Sequence, residues 1–186
     1  MNPRSFASLA ALPFVIAAAS CSSEAKPTVS GGAQFTLRNV AIADNPSKLG
    51  NCLDPGQKTI AQRDAEGRLK LVVDGADEAR VTCRVTGNRF ELSVSRSEGS
   101  FSASGSYTGT QSTDADVNFV TATNSYRTFT RKCTVDIDEN GDHKFRGRVT
   151  CPIVEHRTLP NACSSTGDIG ADNATKTYFS FQNCEG

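Results

Sequence analysis

The sequence predicts an all-β domain: a single antiparallel sandwich or partly closed barrel of about eight to ten strands in hairpins, braced by disulfides. Three observations carry this. Apolar and polar residues alternate through most of the chain, the period of a half-buried strand. Gly-, Asn- and Asp-bearing turns punctuate the alternating runs. No stretch longer than a turn or two shows 3.6-residue periodicity, so no helix competes for the same residues.

Residues 1–20 stand apart from that pattern. Arg4 is their one charged residue, and an apolar stretch runs from Leu9 to Ala19. It is too short and its side chains too small for a comfortable membrane span. It reads as a secretory signal peptide. The stretch ends in Ala18-Ala19-Ser20-Cys21. This resembles the lipobox of bacterial lipoproteins, in which cleavage precedes a Cys that is then acylated. The family's usual Leu three residues before the Cys is replaced here by Ala18. An ordinary A-x-A-type cleavage at Ala17-Ala18-Ala19 is the alternative. Ser22 rather than Asp after the Cys resembles the members sorted to the outer membrane, if the host is Gram-negative.

Residues 22–34, SSEAKPTVSGGAQ, are small and polar. They are expected to tether a lipidated Cys21 to the domain with a typical reach of roughly 20 Å. The domain is expected over 35–186. Phe35 and Leu37 mark the first strand, which ends at Asp44-Asn45-Pro46. Thr59–Gln62 and Arg68–Val73 form a hairpin around Asp64-Ala65-Glu66-Gly67. Val81, Cys83 and Val85 alternate up to Gly87-Asn88, and Phe90, Leu92 and Val94 alternate after it. A two-residue turn there pairs Val85 with Phe90, Cys83 with Leu92 and Val81 with Val94, which places all six on one face. Further strands are expected over 100–108, 117–121, 127–138, 143–153 and 177–181. Asn161–Lys176 reads as a long loop tied down by Cys163. The Ser-, Gly- and Thr-rich stretch 97–113 reads as solvated strand and loop, with an adhesin-like surface as the alternative.

Seven cysteines are an odd number for an exported chain. Lipidating Cys21 leaves Cys52, Cys83, Cys133, Cys151, Cys163 and Cys184. In an oxidising compartment six cysteines suggest three disulfides. Their spacing fits no zinc pattern, and sequence does not choose among the connectivities. The hairpin register expected for 127–153 sets Cys133 and Cys151 several residues apart.

The stretch DIDENGDHKFRG, 136–147, poses the one sharp chemical alternative. Asp136, Asp138 and Asn140 occupy the first three ligand positions of an EF-hand loop, Gly141 the turn, and Asp142 the carbonyl position. The twelfth position, which should be a bidentate Glu, is Gly147. The flanks alternate as strands: Phe129, Cys133, Val135 and Ile137 before, Phe145, Val149, Cys151 and Ile153 after. A hairpin turn of three residues with a Gly bulge is therefore expected, with Gly141, or Asn140 and Gly141 together, taking positive φ. A calcium-dependent binding module at this turn is the alternative.

Composition excludes further classes. Removing residues 1–20 leaves a chain one charge negative, which argues against a nucleic-acid partner. Two histidines, His143 and His156, are present, but no GxSxG elbow and no phosphate-cradling Gly-rich loop. No cofactor is indicated. An envelope hydrolase would need a site assembled in space from distant residues.

The lipobox, the tether and the even count of domain cysteines together resemble small bacterial envelope lipoproteins. LVVDG and RVTCRV resemble the mycobacterial 19-kDa lipoprotein antigen family. That family has far fewer cysteines. The resemblance implies a lipid-anchored domain in the cell envelope, with a non-enzymatic binding or structural role. Its partners would be the membrane, through the anchor, and an envelope protein or cell-wall component.

Overall fold

The computed structural model describes residues 27–40, 52–65, 69–165, 167 and 177–186. The signal segment, Cys21, residues 22–26, the Asn45-Pro46 turn and most of 161–176 lie outside the described residues. The described part is all-β, with 67% strand and no helix. Its strands are β1 (Ser30–Asn39), β2 (Gly56–Ile60), β3 (Gln62–Arg63), β4 (Leu69–Lys70), β5 (Val72–Val73), β6 (Arg80–Thr86) and β7 (Arg89–Arg96). They continue as β8 (Gly99–Ser106), β9 (Gln111–Thr121), β10 (Ser125–Arg127), β11 (Cys133–Gly141), β12 (Lys144–His156), β13 (Ala162–Ser165) and β14 (Tyr178–Gln182).

Strands β6 to β9 form an antiparallel meander. Strands β10 and β11 fill successive stretches of the gap between β9 and β12. Strands β14 and β13 fill the gap between β12 and β1 in the same way. The far side of β1 carries β2 and β5. This one sheet curls over its own core, where Phe35 of β1 meets Phe119 of β9 with ring centroids 4.8 Å apart. It is not a closed barrel. The outer edge of β6 is met by the C-terminal residues, whose Glu185 pairs in parallel with Arg84. There Val85 N donates to Glu185 O (2.7 Å) and Glu185 N to Cys83 O (2.8 Å).

The β6–β7 hairpin follows its sequence register: Val81 faces Val94, Cys83 faces Leu92 and Val85 faces Phe90. Gly87 takes φ +58° as the first turn residue, a position where a side chain is disfavoured. The 62–70 hairpin is also present, as β3 against β4. Each of those two runs is split, however, so that β2 and β5 join β1 instead.

Three expectations are corrected. First, the tether does not reach Gln34. β1 begins at Ser30, and Ser30 to Leu37 are all buried. A Cβ on Gly31 would stand 2.5 Å from the Phe181 ring and 2.9 Å from Val81. The glycine run that reads as linker is a core strand whose neighbours occupy the side-chain space.

Second, the β11–β12 turn is Asp142-His143, with φ +48° and +58°, the two positive values of a type I′ turn. Gly141 pairs with Lys144. A two-residue turn here would oppose odd residues to even ones. One extra residue, Asp138, between the rungs Ile137–Gly147 and Glu139–Arg146 restores the alignment. The bulge explains the glycine at 147, because a Cβ there would lie 2.4 Å from Asp136 O. The corrected register also sets Cys133 directly opposite Cys151, and the two are disulfide-bonded with Cα atoms 4.4 Å apart. That is the close spacing of a non-hydrogen-bonded pair.

Third, Phe129 does not continue the β11 face. β10 ends at Arg127, and Phe129 lies 46% exposed on the bend that follows, with the Arg127 guanidinium 3.9 Å from its ring centre. The other bridges are Cys52–Cys163 and Cys83–Cys184, so the six domain cysteines form three disulfides. Ala162–Ser165, expected as loop, is strand β13.

Candidate functional site

The molecule has two ends. At one end lie Ser30, Gln182, Lys144 and Gly141, which share a rung. At the other lie Asn39, Cys163, His156, Tyr126, Ser125 and Val120. The second end carries the most connected polar network of the described residues. It is built on the β9–β10 turn, the end of β12 and the segment after Cys52.

Asp54 is its centre. Its carboxylate accepts from Thr121 Oγ1 (2.6 Å) and Asn124 Nδ2 (2.7 Å). Asn124 N in turn donates to Thr121 Oγ1 at 3.0 Å. The Asn124 side-chain carbonyl meets His156 Nε2 at 3.1 Å. His156 Nδ1 accepts from the backbone N–H groups of Thr158 (3.2 Å) and Leu159 (3.0 Å). Two donors aimed at Nδ1 require a lone pair there, so the ring proton sits on Nε2 and is donated to Asn124. Tyr126 is fully buried beside His156, ring centroids 5.4 Å apart and nearly perpendicular, and its hydroxyl accepts from Leu53 N (3.2 Å). Burial and then the Asp54 charge push the Tyr126 phenol up; hydrogen bonds from Leu53 and Asp54 oppose them.

Burial alone would raise the Asp54 carboxyl. Hydrogen bonds from Thr121, Asn124 and Thr123, with the Lys58 charge, outweigh it and hold the group below its ordinary value of 3.8. Asp116 is also lowered: the Lys132 hydrogen bond is the largest influence, burial opposes it, and Thr128 adds to the lowering. A carboxyl lowered in the folded state contributes stability that is present above its unfolded value and lost as pH falls through its folded value. The urea midpoint is therefore expected to hold down to about pH 5 on account of these two groups and to fall below about pH 4. Asp54→Asn should flatten part of that acid limb. An acid limb identical to that of the wild type would show that Asp54 contributes nothing to it.

Two exposed leucines, Leu53 (42%) and Leu159 (47%), project from the segments that this network pins. Both nitrogens of His156 are engaged, no Ser or Cys nucleophile is bonded to it, and Asn124 separates it from Asp54. The arrangement is a set of mutually hydrogen-bonded polar groups that fixes the backbone of two exposed apolar residues.

The sequence singled out other residues, and the structure disperses them. His143 sits at the opposite end from His156, its Nδ1 3.2 Å from Cys184 O. The four calcium candidates are not gathered. Asp136 accepts from Gln111 Nε2 (2.8 Å), and Asp138 pairs bidentately with Arg148. Asn140 Nδ2 donates to Tyr107 Oη (2.9 Å), and Asp142 is a turn residue. Among the described residues no group of three His, Cys, Asp or Glu is placed to hold a metal ion. Sequence reading missed Asp54, Thr121, Asn124 and Tyr126. They come from two segments, Asp54 from one and the other three from the β9–β10 hairpin 67 residues further on, and no local pattern links the two.

Comparison with protein families, with characterised proteins and with solved structures finds no match for this chain.

Proposed function

We propose that this chain is a lipid-anchored protein of the bacterial cell envelope whose β domain binds an envelope protein or cell-wall component without catalysis. In a Gram-negative host Ser22 favours the outer membrane. The observation that carries the reading is the cysteine pairing. The six domain cysteines bond to one another, which leaves Cys21 with no partner among them. A Cys directly after a secretory signal, excluded from every domain disulfide, is what lipidation uses. Three disulfides also suit an oxidising compartment. The Asp54–Asn124–His156 end supports binding rather than chemistry, because its polar atoms are already committed to holding one another in place.

The test is the intact mass of protein extracted from membranes, before and after reduction. The expected mass is that of residues 21–186 plus acyl chains, gaining two hydrogens per disulfide on reduction. An unacylated mass in the soluble fraction would overturn the anchor. The binding end is tested by capture from envelope extract with the soluble domain and with Leu53→Ser/Leu159→Ser. Equal capture by both would move the binding surface elsewhere.

A further inference from the structure

We infer that the end of the domain carrying the 87–88 and 142–143 turns is held against the headgroup surface of the membrane. The Asp54–Asn124–His156 end then faces away from it. This rests on the proposed acylation of Cys21.

The first argument is where the described chain begins. Pro27, Thr28 and Val29 lie at the turn-bearing end. Asn183 Nδ2 donates to Thr28 O (2.8 Å), and Asp74 N to Val29 O (2.9 Å). Pro27 lines an open hollow of about 430 Å³ with Arg84, Thr86, His143 and the C-terminal residues. Cys184 N donates to His143 O (3.0 Å), Asn140 Nδ2 to Tyr107 Oη (2.9 Å), and Tyr107 Oη to Gly87 O (2.8 Å). The start of the domain, its C-terminus and both turns are thus one bonded surface.

The second argument is length. Only five residues lie between Cys21 and Pro27, six residue-to-residue steps. Whatever their conformation, six steps span at most about 20 Å. The ten residues of β1 lead directly away from that point for roughly 30 Å. The anchor is therefore too short to place the opposite end against the bilayer with the turn-bearing end outward. Two or more acyl chains would make the attachment lasting.

The third argument is chemistry. Arg84 stands beside Glu185 (3.4 Å) and Lys144 beside Glu139 (3.9 Å) on this end, and its turns, Gly87-Asn88 and Asp142-His143, are polar. Such a surface can meet headgroups without burying charge. The exposed Leu53 and Leu159 are at the other end.

The test uses the full-length acylated protein in phosphatidylcholine vesicles containing a headgroup-nitroxide lipid. Asn88→Cys and Ser97→Cys, both at exposed positions, are labelled with one fluorophore each without reduction, so that the three disulfides stay intact. The expected result is several-fold stronger quenching at position 88 than at 97. Equal or reversed quenching in protein that remains on the vesicles would overturn the orientation alone. Acyl-free protein that leaves the vesicles would overturn the anchored reading and the orientation with it.

Discussion

Replacing the bridge between β6 and the C-terminus, as Cys83→Ala/Cys184→Ala, should lower stability by about 2–5 kcal/mol. The bond joins residues 101 apart in sequence. In the chain-entropy account a loop of about 100 residues restricts the unfolded chain by about 4.7 kcal/mol, against about 3 for a loop of about 15. The Cys133–Cys151 bridge closes a separation of only 18, so its double alanine variant should lose less. The C-terminal bridge also holds Glu185 on the outer edge of β6 at Val85. Without it, the hydrogen bonds between Val85 and Glu185 lose the covalent link that keeps them in register. Urea unfolding should show the larger loss for the Cys83/Cys184 pair. Amide exchange should show protection lost at Val85 and Glu185 while the β8–β9 amides stay protected. An unchanged midpoint with both amides still protected would refute the idea that this bond holds the C-terminal residues on β6.

Phe179→Ala should cost about 3–5 kcal/mol. Phe179 is fully buried at the middle of an aromatic row. Its ring lies 5.9 Å from Phe101, 5.9 Å from Phe145 and 6.1 Å from Phe181, centroid to centroid. Those neighbours come from β8, β12 and β14, so truncation removes contacts from both sides of the curled sheet. The void cannot be filled by collapse, because β12 and β14 are fixed by their shared register, with Gly147 opposite Phe179. Typical domains have about 5–15 kcal/mol in all, so the loss is a large share. Phe179→Leu, which keeps most of the volume, should cost well under half as much. Phe129→Ala, at an exposed ring stacked on one guanidinium, should cost less than about 1 kcal/mol. If the Phe129 and Phe179 alanine variants lost equal stability in urea, the core would not lie where the sheet places it.

The difference between these two phenylalanines shows how far parity reaches. Both are odd-numbered residues in alternating stretches. Parity holds for Phe179, Cys133, Val135 and Ile137 because their strands are continuous. It fails at Phe129 because β10 stops at Arg127 and the chain bends through 128–132 before β11 begins. The same limit explains the Cys133–Cys151 bridge. Its register depends on one extra residue at Asp138, which lies in the exposed, polar end of the hairpin where no apolar alternation exists for a bulge to interrupt. Glycines were misread for a related reason. Ser30-Gly31-Gly32 looks like linker by composition, and only the position of the Phe181 ring shows why Gly31 has no side chain.

The candidate binding end was less legible still. His156 could be singled out as a residue type, but its environment could not. Asp54 and Asn124 are 70 residues apart, and nothing in either segment announces the other. The sequence by itself determined the all-β class, the β6–β7 register and the even set of domain cysteines. It did so because strand periodicity and two-residue turns are local properties. The tertiary structure decided the disulfide connectivity, the curl of the sheet, the burial of Ser30–Gln34 and the joining of Asp54, Asn124 and His156. Each of these depends on which distant strands become neighbours, and long-range pairing is set by the packing of the whole core rather than by any single segment.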